Sequence, residues 1–364
     1  MKKYFYLLAL LSGLIELKSQ IVSTFFNEPT KKIDDAMVID HLGNLYGSHF
    51  MGTNVYKISP LGVSSVFATG FNTPNGLAFD SQHNLYVCDL SGNKIYKLSY
   101  SGTFLDTIPI QSPSGIIKSF SSDTMLFTQY TGNKLSKLAP DGSITLIASG
   151  APMLGSVGLA YDPSGQLYVA NFTDRKIFSV NSNTLTYVAT VPGPSNGSLG
   201  FIAFAKGHLW ATGFNDHKIY KIEPNFIDST VAYAGSTVGN TDGGISSAKF
   251  NSPNGIISSI SGDSLFVSDF GSGRIRVISF TSFTGMGKNE LVQNKIKIYP
   301  SPSSNFVSIE YEGEILGVKL YDSYGKLLGS SLDRKINVSD LPVGLYILSI
   351  QTSDGILKTR FLKN

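Results

Sequence analysis

Residues 84–90 read NLYVCDL. In an extended chain Leu85 and Val87 project from one side and Tyr86 and Cys88 from the other. Both sides are apolar, which a strand needs when its sheet is covered on both faces; a half-exposed sheet would alternate apolar with polar. Working outward, the same pattern recurs as NLYGSHF (44–50), MLFTQY (125–130), QLYVANF (166–172), HLWATGF (208–214) and SLFVSDF (264–270). Their leucines are Leu45, Leu85, Leu126, Leu167, Leu209 and Leu265, at steps of 40, 41, 41, 42 and 56 residues. The longest step contains an insertion, GSTVGNTDGGISSAKF (235–250).

A more clearly alternating strand with a basic residue follows each stretch, and in five units it begins with that residue. Examples are KIYKLS (94–99), KLSKLA (134–139), KIFSVN (176–181), KIYKIE (218–223) and RIRVIS (274–279). A fourth strand follows in five units: GVSSVFATG (62–70), TFLDTIPI (103–110), SITLIASG (143–150), TLTYVATV (184–191) and STVAYAGS (229–236). Units of about 40 residues with four strands are the spacing of a β-propeller. The sixth unit lacks a fourth strand, while QIVSTFFNE (20–28) stands alone near the N-terminus and resembles GVSSVFATG. The expectation is a six-bladed propeller over residues 21–280, with residues 21–28 closing blade six. Such closure removes the exposed sheet edges.

Composition agrees with many short strands joined by tight turns. Of 364 residues only 15% are charged, 37 are glycine, and the net charge is +3. Without a basic stripe, nucleic-acid binding is disfavoured. Lys2 and Lys3 precede an apolar run from Tyr4 to Ile15, which is too short to span a bilayer. Residues 1–20 therefore read as a signal peptide, leaving no transmembrane segment in the mature chain. The single cysteine, Cys88, permits no intrachain disulfide and reads as a small core residue. Trp210 occupies the aromatic position of the repeat and reads as core. The sequence contains no Walker loop, no HExxH and no CxxC.

Beyond a polar linker at residues 281–294, short alternating strands punctuated by turn residues predict a small antiparallel, Ig-like β-sandwich over residues 295–364. The fold class expected for the whole chain is thus all-β.

Two resemblances carry further expectations. The stretches DGGISSAKFNSPNGIISSISGDSLFVSDFGSGRIRVIS (242–279) and PNGLAFDSQHNLYVCDLSGNKIYKLS (74–99) resemble NHL repeats. The second is also similar to the senescence-marker-protein/gluconolactonase propellers. The order IYPSPSSNFVSI, VKLYDSYGKLL, INVSDLPVGLYILSI and LKTRFLKN resembles the C-terminal sorting domain of the type IX (Por) secretion system; Ser301 stands where that family more often has Asn. This second resemblance implies that the secretion machinery is a partner through residues 295–364. It also implies a secreted or outer-membrane surface-attached product.

The funnel of a propeller is lined by the turns leading into its innermost strands. Aligning those turns on AFD, AYD and VID brings together Asp35, Asn75, Ser114, Val157, Leu199 and Asn254. Resemblance to the gluconolactonase-type propellers implies calcium or another divalent cation on Asp35, Asn75 and Asn254, with His49, Asp89 and Asp269 as candidates for proton transfer. Oxygen ligands suit a hard cation. The same residues have a second reading: Asn75 and Asn254 precede Gly and suit tight turns, and Asp89, Asn171 and Asp269 suit turn caps. His41, His83 and His208 fall in turns on the opposite face, and His217 in a loop on the funnel face. Val157 and Leu199 thin the polar ring. The expectation is therefore a surface-displayed module that binds a small molecule, glycan or protein at its funnel. The alternative is a divalent-cation-dependent, lactonase-like hydrolase.

Overall fold

A computed structural model describes residues 20–60, 62–280, 296–322, 327–352 and 355–364. The signal-peptide reading, apart from Gln20, and the linker reading fall outside the described residues. The described chain is all-β, with six sheets arranged as propeller blades and two further sheets formed by the C-terminal strands. Blade one comprises Met37–Ile39, Leu45–Ser48, Asn54–Ile58 and Ser64–Thr69. Blades two to five each repeat this antiparallel four-strand meander, starting at Pro74, Pro113, Ser156 and Leu199.

Blade six has its innermost strands at Pro253–Ser258, Ser264–Asp269 and Arg274–Ser279. Its fourth strand is Ile21–Phe26, which pairs antiparallel with the third in the register Ile21↔Ser279, Val22↔Ile278 and Ser23↔Val277. The insertion fastens this junction. Gly243–Gly244 pairs with Ile21 and Val22 on the outer side. The Asp242 carboxylate accepts from the amide and hydroxyl of Thr24 at 3.0 and 2.9 Å and from the Arg276 guanidinium at 2.7 Å. Ala248 and Phe250 of the same insertion are fully buried between blades five and six.

The core is a ring of inter-blade layers. Leu85 and Val87 pack with Tyr46, Val55 and Phe71 on one side of blade two. Tyr86, Cys88 and Ile95 pack with Ile116, Met125 and Phe127 on the other. Burial raises the Cys88 thiol well above its ordinary range, consistent with an inert packing role.

Near the axis the blades approach more closely than side chains permit. One residue beyond each aligned funnel position the chain has Ala36, Gly76, Gly115, Gly158, Gly200 or Gly255. A Cβ on Gly76, Gly115 or Gly255 would come within 2.2, 1.7 or 2.1 Å of the carbonyl oxygen of Ser114, Val157 or Asp35 in the next blade. Hydroxyls on the second strands reinforce the contact. Ser48, Thr212 and Ser268 donate to the carbonyls of Asn75, Asn254 and Asp35 at 2.9, 2.6 and 2.7 Å.

The C-terminal strands form a three-stranded sheet and a four-stranded sheet. Their shared core includes Val307, Ile309, Val318, Leu320, Leu348, Ile350 and Phe361, giving a sandwich with its own interior.

The axial contact makes a testable demand. Gly115→Ala should destabilise the protein by about 3 kcal/mol, the upper range for forcing extra atoms into a packed interior. Gly132→Ala, whose added Cβ would meet nothing nearer than 3.6 Å, should change stability little. Urea denaturation measures both, and equal midpoints for the two variants would refute the axial constraint.

Candidate functional site

Six innermost strands converging on one axis bring one side chain from each leading turn to the same place. Asp35, Asn75, Ser114, Val157 and Asn254 all line a funnel cavity of about 210 Å³. Leu199 is fully buried in the core between blades four and five, and Phe201 lines the cavity for blade five instead. Leu199 pairs opposite Gly213 as Pro74 pairs opposite Asp89 and Pro253 opposite Asp269, so it takes the place of those prolines, one residue ahead of the aligned position in the other blades.

A second ring surrounds the first. The residue that ends each second-strand motif, Phe50, Leu90, Tyr130, Phe172, Phe214 or Phe270, lines the same cavity. Ring centroids step around it: Tyr130 to Phe172 at 6.2 Å, Phe172 to Phe214 at 5.9 Å, Phe214 to Phe270 at 5.3 Å and Phe270 to Phe50 at 6.4 Å. These distances suit edge or tilted aromatic contacts. Leu90 completes the collar. The collar was present in the repeated motifs, whose last residue is apolar in all six. The repeat's core-forming residues draw attention away from it.

The polar side of the cavity is unusual in what it leaves unsatisfied. Asp35 Oδ1 accepts from Asn254 Nδ2 at 2.7 Å, but Asp35 Oδ2 has no hydrogen-bond partner. Asn75 Oδ1 and Ser114 Oγ are likewise buried without partners. These three oxygens come from blades one, two and three. Burial pushes the Asp35 carboxyl well above the usual carboxylate range, and the neighbouring Asp34 charge adds to the rise.

The remaining candidates lie elsewhere. His49, Asp89 and Asp269 occupy the same position at the end of their second strands, and none lines the cavity. Each fastens a turn. His49 Nδ1 meets Asp34 Oδ2 at 2.9 Å, while Asp34 Oδ1 accepts from the Phe50 amide. Asp89 accepts from the amides of Asn72, Thr73 and Gly92. Asp269 accepts from the Asn251 amide at 2.6 Å and the Ser272 hydroxyl at 2.5 Å. Asn171 has the same place in blade four and accepts from Ser156 Oγ. On the opposite face His41 stacks on His83 at 3.9 Å, and His208 pairs with Glu223. His217 accepts from the Ser252 amide. The stretch GPSNG (193–197) has the spacing of a serine-nucleophile elbow. It lies in an exposed loop leading into a strand, not in the strand–helix turn that this motif requires.

A calcium ion takes six to eight oxygens. The cavity offers Asp35 Oδ2, Asn75 Oδ1 and Ser114 Oγ. Asn254 turns its nitrogen toward Asp35 and lays its oxygen over Gly200, so it adds no ligand in this arrangement. Val157 and Phe201 close the far side. The donor set therefore falls well short of a calcium shell. Among the described residues no group of three or more His, Cys, Asp or Glu side chains could hold a metal ion.

Comparison with known proteins adds two findings. Residues 297–364 match the family model of the secretion system C-terminal sorting domain. A search of curated proteins returns no match. Among solved structures, the chain is similar to an auxiliary nutrient binding protein from Bacteroides thetaiotaomicron, with 16% identity, TM-score 0.61, and 72% of this chain and 76% of that one covered. It is also similar to a gluconolactonase from Xanthomonas campestris, with 16% identity, TM-score 0.56, and coverage of 71% and 89%. A virginiamycin B lyase from Staphylococcus aureus aligns with 19% identity, TM-score 0.51, and coverage of 67% and 79%. At these identities the likeness establishes the propeller fold alone.

The turn-fastening role of Asp269 has a pH signature. Burial raises its carboxyl to about 6 against an ordinary 3.8. Between those values the folded state holds a proton that the unfolded state has released, so stability falls as pH rises through this window. Asp269→Asn should flatten that decline, by at most about 3 kcal/mol for a two-unit shift. Denaturation midpoints of both proteins from pH 4 to 7 measure it, and parallel pH profiles would exclude the assignment.

Proposed function

We propose that this chain is a small-molecule-binding propeller, carried to the cell surface or beyond by its C-terminal sorting domain, with its ligand seated in the funnel. The observation that carries the reading is the lining of the cavity: three unpartnered buried oxygens on one arc, within a collar of five aromatic rings and Leu90. Buried polar groups are ordinarily satisfied, and exceptions call for a reason. A ligand that supplies the missing partners is one such reason. A cavity of about 210 Å³ is small for a ligand site, which suits a compact molecule rather than a polymer. Similarity to an auxiliary nutrient binding protein supports a binding role without fixing the ligand.

The metal-dependent hydrolase reading has less support. Its proposed acid–base groups His49, Asp89 and Asp269 are engaged in turns outside the cavity lining, and the oxygen set is sparse. Export is supported by the sorting-domain match. Engagement with the type IX machinery through residues 295–364 and attachment to the outer-membrane surface are parts of the same proposal. So is removal of residues 1–20 as a signal peptide.

Two experiments test these statements. In a thermal-shift panel of sugars, organic acids, amides, amines and calcium, at least one small molecule should raise the melting temperature by several degrees. Leu90→Trp, which fills the collar, should abolish that rise. Stabilisation that survives the filled collar would place the ligand outside the funnel. For export, deleting residues 295–364 should leave a folded propeller retained in the periplasm, because each part has its own core. Surface delivery of the truncated chain at the normal level would refute the sorting role.

A further inference from the structure

The nature of the ligand can be argued one step further, on the premise that the funnel is a binding site. Asp35 is 1% exposed, Ser114 0% and Asn75 5%, and all three line the cavity. The Asp35 carboxylate meets no Lys, Arg or His among the described residues: its side-chain partner is Asn254. The other buried carboxylates of the propeller are better served. Asp40 accepts from the amides of Leu42 and Asn44 and from Tyr46 and Tyr100. Asp269 lies 4.0 Å from the Arg276 guanidinium and accepts from an amide and a hydroxyl. An ionised carboxylate with nothing positive beside it is costly to bury. No cation of the described residues meets this carboxylate, and the three residues that carry the unpartnered oxygens all line the cavity.

We infer that the funnel takes the primary ammonium group of a small apolar amine, with Asp35 Oδ2, Asn75 Oδ1 and Ser114 Oγ accepting its three N–H bonds. The match is one of count and of charge. An ammonium carries three donors and no acceptor. The arc offers one anionic oxygen, one amide oxygen and one hydroxyl, from three successive blades. Charge-assisted hydrogen bonds to the carboxylate are the strong kind. The collar suits the rest of the molecule. Phe172, Phe214 and Phe270 present apolar surface for a hydrocarbon body, and aromatic faces within about 6 Å attract a desolvated cation.

Competing ligands fit less well. Calcium would find three protein oxygens where it takes six to eight, with Val157 and Phe201 in place of further ligands. A neutral hydroxylated ligand could bond the oxygens, with the raised Asp35 carboxyl protonated, but would gain no charge-assisted bond. An anion would meet a carboxylate with no cation beside it.

Isothermal titration of the full chain at pH 8 decides among them. The probes are benzylamine, its neutral counterpart benzyl alcohol, and calcium chloride. Benzylamine should bind at least about tenfold more tightly than benzyl alcohol, the least expected when a charged hydrogen bond is replaced by a neutral one. Asp35→Asn keeps the side-chain volume and should bring the ratio close to one. It should also melt no lower than the parent in the absence of ligand, because Asn can still accept from Asn254 and the cost of burying an ionisable carboxyl is removed. Ser114→Ala should weaken benzylamine binding while leaving the fold intact. Equal affinity for amine and alcohol would overturn the ammonium assignment and leave the funnel as a binding site for neutral molecules. Binding of calcium without benzylamine would overturn it in favour of a metal. If benzylamine does not bind while a neutral molecule from the wider panel does, the ammonium assignment fails alone. If no probe or panel compound binds, it fails together with the binding function.

Discussion

The propeller depends on how closely neighbouring backbones meet at the axis. Carbonyls of Ser114, Val157 and Asp35 occupy the space where a side chain on Gly76, Gly115 or Gly255 would begin. The sheets converge because five of the six innermost strands carry glycine at this point and blade one carries only Ala36. The hydroxyls of Ser48, Thr212 and Ser268 then donate to the carbonyls of Asn75, Asn254 and Asp35 of the next blade, turning close approach into directional bonds. The approach also fixes the position of the preceding residue, so the side chains of Asp35, Asn75, Ser114, Val157 and Asn254 meet in one cavity.

Much of this was legible before any coordinates. A strand apolar on both sides, repeated six times at a period near 40 residues, has few architectures in which both faces can be buried. The alternation in FVSIEY (306–311), buried at Val307, Ile309 and Tyr311, expresses the opposite case of a sheet with one covered face. The insertion was visible only as extra length. Its work at the ring junction depends on Asp242 reaching Thr24 and Arg276, partners 218 and 34 residues away in sequence. No local pattern announces such contacts.

The cavity was legible by alignment and less so by chemistry. Counting back from AFD, AYD and VID identified five of its inner lining residues, because every blade enters the axis by the same turn. Blade five departs: Leu199 takes the strand position that Pro74, Pro113 and Pro253 hold in their blades, where it is buried, and Phe201 lines the cavity. The same register shift occurs in blades two, three and six, and an apolar run such as LGFIAF does not mark which of its residues will face the axis. The positions of His49, Asp89 and Asp269 were equally regular, and regularity was itself a clue. A role that recurs in blade after blade at the end of a strand belongs to the turn, which every blade must make, and not to a ligand, which the ring meets once.

That distinction also separates the two kinds of buried carboxylate here. Asp269 and Asp35 are both raised above the ordinary range by burial, so desolvation alone does not tell them apart. Their partners do. Asp269 spends its oxygens on the Asn251 amide and on a hydroxyl of its own turn, with Arg276 nearby, and the cost of burying it is partly offset within the fold. Asp35 keeps Oδ2 unpartnered, beside Asn75 Oδ1 and Ser114 Oγ, which are unpartnered too. A single orphan could be an accident of packing. Three on adjacent blades, converging on a cavity ringed by aromatic side chains, describe a surface that the protein does not complete by itself. The fold sets where those groups stand, and their chemistry sets what can stand between them.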